Sequence, residues 1–322
     1  MNNDKKKKRN RKYKKKQTLN LNIRSIQDIL DLHNNLNYEK NYYFNKNILK
    51  SIIPTLEKIN ALIGMKELKK SIFQQVIFTL QNLNSIDDNF NTIIYGSPGT
   101  GKTTISLLLA ELYFHIGLVR SPNIYNINKN DLVGQFCGST VQKTQELLDK
   151  VDKEGAVLFI DEVYCLGFGD KTDLFSKECI DVICKNLLLK KNMITIISGY
   201  KKDIEENFLN INKGLDRRFT YKFEIGTYSK KDLFLILISK LKELDIPTDF
   251  NGISPSILTN VTLVNNAGDI DILVQFTKIA FANRVFGKFN RNTSKITTVD
   301  IINAISNFNN NKEEKLFFDY II

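Results

Sequence analysis

Gly96-Ser97-Pro98-Gly99-Thr100-Gly101-Lys102-Thr103, with Thr104 following, is spaced as G-x-x-x-x-G-K-[ST]. Those residue types suit a polyphosphate. Glycines let backbone N–H groups turn inward around the anion, and the N-terminus of a following helix adds its positive dipole end. The Lys102 ammonium would reach the β- and γ-phosphates of a nucleotide, and the Thr103 hydroxyl would hold Mg²⁺. A second chemical pair, Asp161-Glu162, closes the apolar run 156–160. Asp161 would hold Mg²⁺ through its water shell, and Glu162 would orient and polarise an attacking water. A third pair, Arg217-Arg218, reads either as a surface charge patch or as arginine fingers. In the second case it would act on a neighbouring subunit's nucleotide, which requires a ring.

The elements around these residues alternate in type. β-branched and apolar runs at 92–95, 124–127, 156–160, 193–198 and 221–224 predict strands. Helical patterns follow the glycine loop to about residue 117 and recur at 140–152, 177–189 and 201–209. Such alternation implies a parallel sheet with helices on both faces, and ligands then sit at the carboxyl ends of the strands. Before the core, Ile26, Ile29, Leu30 and His33 share one helical face, and His33 reads as a helix-surface residue rather than a catalytic base. After residue 226 the patterns at 229–244, 254–264, 269–286 and 298–308 predict an all-helical portion, with Thr298 as an N-cap. The expected organisation is a disordered polybasic tail at 1–20, a helical segment at 21–85, a nucleotide-binding α/β domain at 86–226 and a helical lid at 227–322.

Composition narrows the function classes. Residues 1–16 hold ten basic residues, Lys5 to Lys16, against Asp4, so the tail carries +9 of the net +11. The body is nearly neutral. The tail suits a nuclear import signal, a nucleic-acid arm or a solvated extension. Four cysteines without C-x-x-C pairing and only two histidines argue against a zinc site or a disulfide framework. No apolar run is long enough to span a bilayer, and the charged N-terminus is unlike a secretory signal, so a cytoplasmic location without a membrane partner is expected. Heavy use of asparagine, isoleucine and lysine reads as AT-rich coding bias, which adds a virion or viral host cytoplasm to the locations considered.

The segments Gly96 to Thr104, Ala156 to Glu162 and Gly214 to Phe219, with the helical end, resemble AAA+ ATPases. Asp131-Leu132-Val133-Gly134-Gln135-Phe136-Cys137-Gly138-Ser139-Thr140, Lys143-Thr144, Leu158-Phe159-Ile160-Asp161-Glu162-Val163-Tyr164 and Ser198-Gly199-Tyr200 narrow the resemblance to the CbxX/CfxQ family, over roughly residues 48–290. The best-understood members of that family are red-type rubisco activases. The resemblance implies a P-loop NTPase core with a five-stranded parallel sheet and a small helical lid. It also implies hydrolysis of ATP with Mg²⁺, a homo-hexameric ring and a protein substrate threaded through the pore. Residue by residue, it implies that Ile63 and Gly64 border the adenine and that Phe136-Cys137-Gly138 is the pore loop. From the residues alone, Phe136 reads rather as a packing residue. Ser198 falls at the polar sensor position, and Arg218 matches the arginine before Phe, with Arg217 as second candidate.

One stretch departs from the family. Where the family has Gly-Asn-x-Arg, this chain has Gly268-Asp269-Ile270-Asp271. An acid at Asp271 would repel a triphosphate, so it is expected to point elsewhere. Two rival functions stand beside the remodelling ATPase. Asp271 favours an ATP-binding assembly or regulatory subunit with little turnover. The basic tail favours a nucleic-acid-associated ATPase.

Overall fold

Runs of β-branched and aromatic residues form the centre of the chain. A computed structural model describes residues 16–19, 22–85, 87–134, 139–167, 174–288, 290 and 294–319. Within it, β1 (Thr92–Gly96), β2 (Ile124–Ile127), β3 (Val157–Ile160), β4 (Ile194–Gly199) and β5 (Tyr221–Ile225) make one sheet. Its order is β2-β3-β4-β1-β5, and every pairing is parallel. Strands β1, β3 and β4 are buried along their whole length, as expected for inner parallel strands covered on both faces.

Alternation along those strands divides the core in two. Ile94, Val157, Phe159 and Ile196 face one apolar cluster, and Ile93, Tyr95, Leu158, Ile160 and Ile197 face another. Four helices build the first: α1 (Ile26–Asn35), α2 (Lys46–Ala61), α3 (Lys66–Leu80) and α4 (Lys102–His115). Helix α1 starts at a capping box, with the Asp28 N–H donating to Ser25 Oγ at 3.2 Å and the Ser25 N–H to Asp28 Oδ2 at 2.9 Å. His33 sits on this helix with Nδ1 at 2.5 Å from the Tyr38 hydroxyl. Helices α5 (Ser139–Glu154) and α6 (Leu174–Leu189) cover the other face. After β4 the chain makes one α-helical turn, Lys201–Ile204, and then a π-helical turn, Glu205–Leu209.

Within the stretch expected to be a disordered tail, Lys16–Gln17 pairs in parallel with Asn41–Tyr42. Residues 1–15 lie outside the described residues.

The C-terminal portion is helical, with α7 (Lys230–Lys242), α8 (Ala267–Val285) and α9 (Thr298–Asp319) around their own cluster of Leu237, Leu241, Ile270, Leu273 and Ile301. The expected helix over 254–264 is only a 3₁₀ turn, Pro255–Leu258. Pro255 fits a helix start, but Thr259, Asn260, Val261, Thr262 and Val264 are poor helix formers, β-branched or side-chain bonding. Thr298 is the first helical residue of α9 rather than its cap. The preceding Thr297 donates its N–H to Asp300 Oδ2 at 2.8 Å, and the fully buried Asp300 is fixed by Arg284 Nε and Nη2, both at 2.7 Å. Among the described residues no helix is long and apolar enough to cross a membrane, and Cys165, Cys179 and Cys184 are free thiols.

Phe159 is fully buried in the middle of the sheet. Phe159→Ala should destabilise the chain by about 3–5 kcal/mol in urea unfolding, and a loss under about 1 kcal/mol would contradict this packing.

Candidate functional site

Because β3, β4 and β1 are consecutive neighbours, their carboxyl ends bring Asp161, Ser198 and Gly96 to one place. The Asp161 carboxylate is the meeting point. Thr103 Oγ1 donates to its Oδ2 at 2.7 Å. The Ser198 hydroxyl donates to its Oδ1, which also takes the Glu162 N–H at 3.0 Å. Ser198 is fully buried. Both carboxylate oxygens are therefore engaged, and the side chain has one orientation. A hydroxyl and a carboxylate this close are hard oxygen donors of the type Mg²⁺ takes, one or two from protein with the rest from water and phosphate. Among the described residues there is no cluster of three His, Cys, Asp or Glu side chains suited to a metal.

The loop between β1 and α4 needs its glycines. Gly99 and Gly101 have φ of +65° and +88°, where side chains are strained. At Gly96 a Cβ would stand 2.6 Å from Thr100 Oγ1, whose hydroxyl donates to Ser97 O at 2.8 Å. Lys102 is buried, and its amine donates to Gly96 O at 3.0 Å and Ser97 O at 3.2 Å. Burial pushes its pKa below the ordinary lysine value, against the pull of Glu162 and Asp161. The helix begins at Lys102, so the N–H groups of its first turn, Thr103 and Thr104 included, have no intrahelical partner and remain for a ligand.

Glu162 sits half-buried in the left-handed region, φ +51°, where the chain leaves β3 for the 3₁₀ turn Val163–Leu166. Such backbone persists only where its surroundings fix it, and it turns this carboxylate away from the strand. Burial raises its pKa above the ordinary glutamate value, with Lys102 opposing and Asp161 and Asp203 adding to the rise. Tyr200 places its ring 4.9 Å from Lys102 Nζ and stacks on Tyr164 at 5.4 Å.

Ile63 packs against the lid cluster. Gly64 has φ +74°, and a Cβ there would meet Tyr228 Cε1 at 3.0 Å. The next residue, Met65, reaches the loop, since a Cβ on Gly101 would lie 3.1 Å from its Cε. Arg217 and Arg218 are elsewhere. They precede β5 in the 3₁₀ turn Asp216–Arg218, and Arg218 O accepts from Asn89 Nδ2 at 2.5 Å and Asn91 Nδ2 at 3.2 Å. This is the amino end of the sheet, opposite the loop. Arg218 Nε is buried there with no hydrogen-bond partner among the described residues. Phe136, Cys137 and Gly138 lie outside the described residues. Asp271 pairs with Lys240 of α7 on the lid surface.

Sequence reasoning missed the residues that join loop and lid. Asn266 Nδ2 donates to Pro98 O at 3.2 Å, the Ala267 N–H to Gly99 O at 3.0 Å, and the Tyr228 hydroxyl to Thr100 O at 2.9 Å. A Cβ on Gly99 would stand 2.0 Å from Asn265 O. Gly99→Ala should therefore separate loop from lid, and hydrogen exchange at the Ala267 amide should rise about tenfold or more. Unchanged protection would contradict the contact.

Residues 92–226 match the model of the ATPase family associated with various cellular activities (AAA). A cfxQ-like protein of Acanthamoeba polyphaga mimivirus is 34% identical over 269 residues, 80% of this chain and 65% of the viral protein's length. A CfxQ homolog of Galdieria sulphuraria is 30% identical over 271 residues, 80% of this chain and 87% of that protein. In three dimensions the crystal structure of the FIGL-1 AAA domain in complex with ADP aligns with a TM-score of 0.55 at 15% identity, covering 76% of this chain and 82% of that one, a likeness of fold. With the glycine loop, the acids at the end of β3 and the helical C-terminal portion, these matches show that the chain belongs to the CfxQ family of AAA ATPases.

Proposed function

We propose that the chain binds ATP between the glycine loop and the lid, hydrolyses it, and works in a homo-hexameric ring that remodels a protein substrate. The observation that carries the hydrolytic part is the Thr103–Asp161–Ser198 constellation at the adjoining ends of β3 and β4, beside the start of α4. Lys102 would pair with the β- and γ-phosphates once its amine leaves the loop carbonyls. Mg²⁺, held by the Thr103 hydroxyl and by Asp161 through water, would neutralise phosphate charge. Glu162 would accept the proton of the attacking water, and Ser198 would keep Asp161 oriented. Ile63 and Gly64 would border the adenine.

The ring part rests on Arg218. β1 is five residues long and rises about 3.3 Å per residue, so the arginines at the sheet's amino end stand too far from their own loop to touch its phosphates. They fit a neighbour's nucleotide. Phe136-Cys137-Gly138 would then line the pore. The FIGL-1 domain, which holds ADP, supports the placing of nucleotide in this fold. A second reading, an ATP-loaded assembly subunit with little turnover, is favoured by the pairing of Asp271 with Lys240, which leaves that position without a cation for the γ-phosphate.

Steady-state phosphate release and nucleotide affinity test these roles together. Lys102→Ala should lose nucleotide binding. Glu162→Gln should still bind ATP while kcat falls about 10²–10⁴-fold. Unchanged rates in both variants would sink the proposal. A base acts in its ionised form, so kcat should fall as pH drops through the raised Glu162 value. The acid limb should have its midpoint above 4.5, the ordinary glutamate value, and a midpoint at or below it would remove Glu162 as the base.

A further inference from the structure

Three consecutive carbonyls of the glycine loop are each held by one group from the lid side. Pro98 O takes Asn266 Nδ2, Gly99 O takes the Ala267 N–H, and Thr100 O takes the Tyr228 hydroxyl. A carbonyl and the next residue's N–H belong to one planar unit and turn together. The units held here are those whose other ends are the N–H groups of Gly99, Thr100 and Gly101, the groups a polyphosphate would draw inward. Holding these carbonyls sets where those N–H groups point, and any rotation of the units around a phosphate would move the lid's partners with it.

The lid side of this contact is built to respond as a body. Asn266 is buried, with φ +50° and ψ −123°, a conformation non-glycine residues rarely adopt. Its Oδ1 accepts from the Tyr228 N–H at 3.2 Å, so one side chain ties the loop to the hinge between β5 and α7. The buried Asp269 fixes the preceding turn by accepting from the Asn265 N–H at 3.0 Å and Asn265 Nδ2 at 3.1 Å. Backbone meets backbone without side chains between, because a Cβ on Gly99 would also lie 2.6 Å from Gly268 N. We infer that Asn266 and Tyr228 are positioning residues that carry nucleotide occupancy from the loop's peptide units to the lid. Asp271, paired with Lys240 on the lid surface, takes no part.

This inference rests on the reading of the loop as the ATP site, and the experiment separates the two. Nucleotide affinity of the full chain is measured by fluorescence anisotropy with a labelled ATP. The response of α7 and α8 is measured by hydrogen exchange with and without MgADP. The unmodified protein should bind and should change protection in both helices. Asn266→Gly, which keeps the backbone conformation, and Tyr228→Phe, which removes one hydroxyl, should bind within about threefold of the unmodified affinity while the lid response falls by at least half. Asp271→Asn should keep the full response. Should Asn266→Gly not fold, Tyr228→Phe alone decides. Variants that bind and keep the full response overturn the inference. So do folded variants that lose nucleotide, since the residues would then only shape the pocket, and so does an unmodified lid indifferent to nucleotide. An unmodified protein that binds no nucleotide overturns the site reading and the inference with it.

Discussion

The Asp161 carboxylate is the constraint on which the site depends. A charged group at the end of a buried strand is costly unless its oxygens are bonded, and here three donors from three segments converge on it: the Thr103 hydroxyl, the Ser198 hydroxyl and the Glu162 N–H. The two hydroxyls reach it only because β3 lies beside β4 and β4 beside β1, while the Glu162 N–H comes from the next residue of the chain. The strand order, which looks arbitrary along the chain, is thus what assembles the chemistry. The turn at Glu162, with φ +51°, follows directly on this convergence.

The inner strands were legible because a parallel strand covered on both faces must be apolar throughout, and runs such as 156–160 are unbroken. The loop was legible because few residue types can bring a backbone so close to an anion. The 254–264 segment misled because Ile257, Leu258 and Val261 stand at helical spacing, while Thr259, Asn260 and Thr262 beside them decide the backbone. Tyr228 and Asn266 could not be read in advance. They lie 128 and 168 residues from their partners in the loop, and nothing local marks a tyrosine or asparagine as a long-range clasp. The one signal was the paired Asn265-Asn266 before a helix, a residue type that tolerates unusual backbone.

Electrostatics in the site are balanced rather than extreme. Lys102 is held below its ordinary pKa by burial, and Glu162 above its own by the same cause, while each partly offsets the other. Tyr200 sets an aromatic face against the same ammonium. The ring is itself kept in place by Tyr164, which closes so tightly on Gly199 that a Cβ there would come within 2.7 Å of it. The glycine before Tyr200 is therefore required by the neighbour of the ring rather than by any ligand.

Strand β1 has a different fixture at each end. Its carboxyl end opens into the glycine loop, and the residues just before it, Asn89 and Asn91, clasp the main chain of Arg218. The strand is short and bonded on both sides, to β4 and β5, which suits a strut rather than a tether. In the ring proposed above, each subunit would own one such strut, with its own nucleotide at one tip and, were Arg218 to act in trans, its neighbour's at the other. Firing order around the ring would then be a matter of stiffness: a subunit could not settle its loop without nudging the arginine it offers next door.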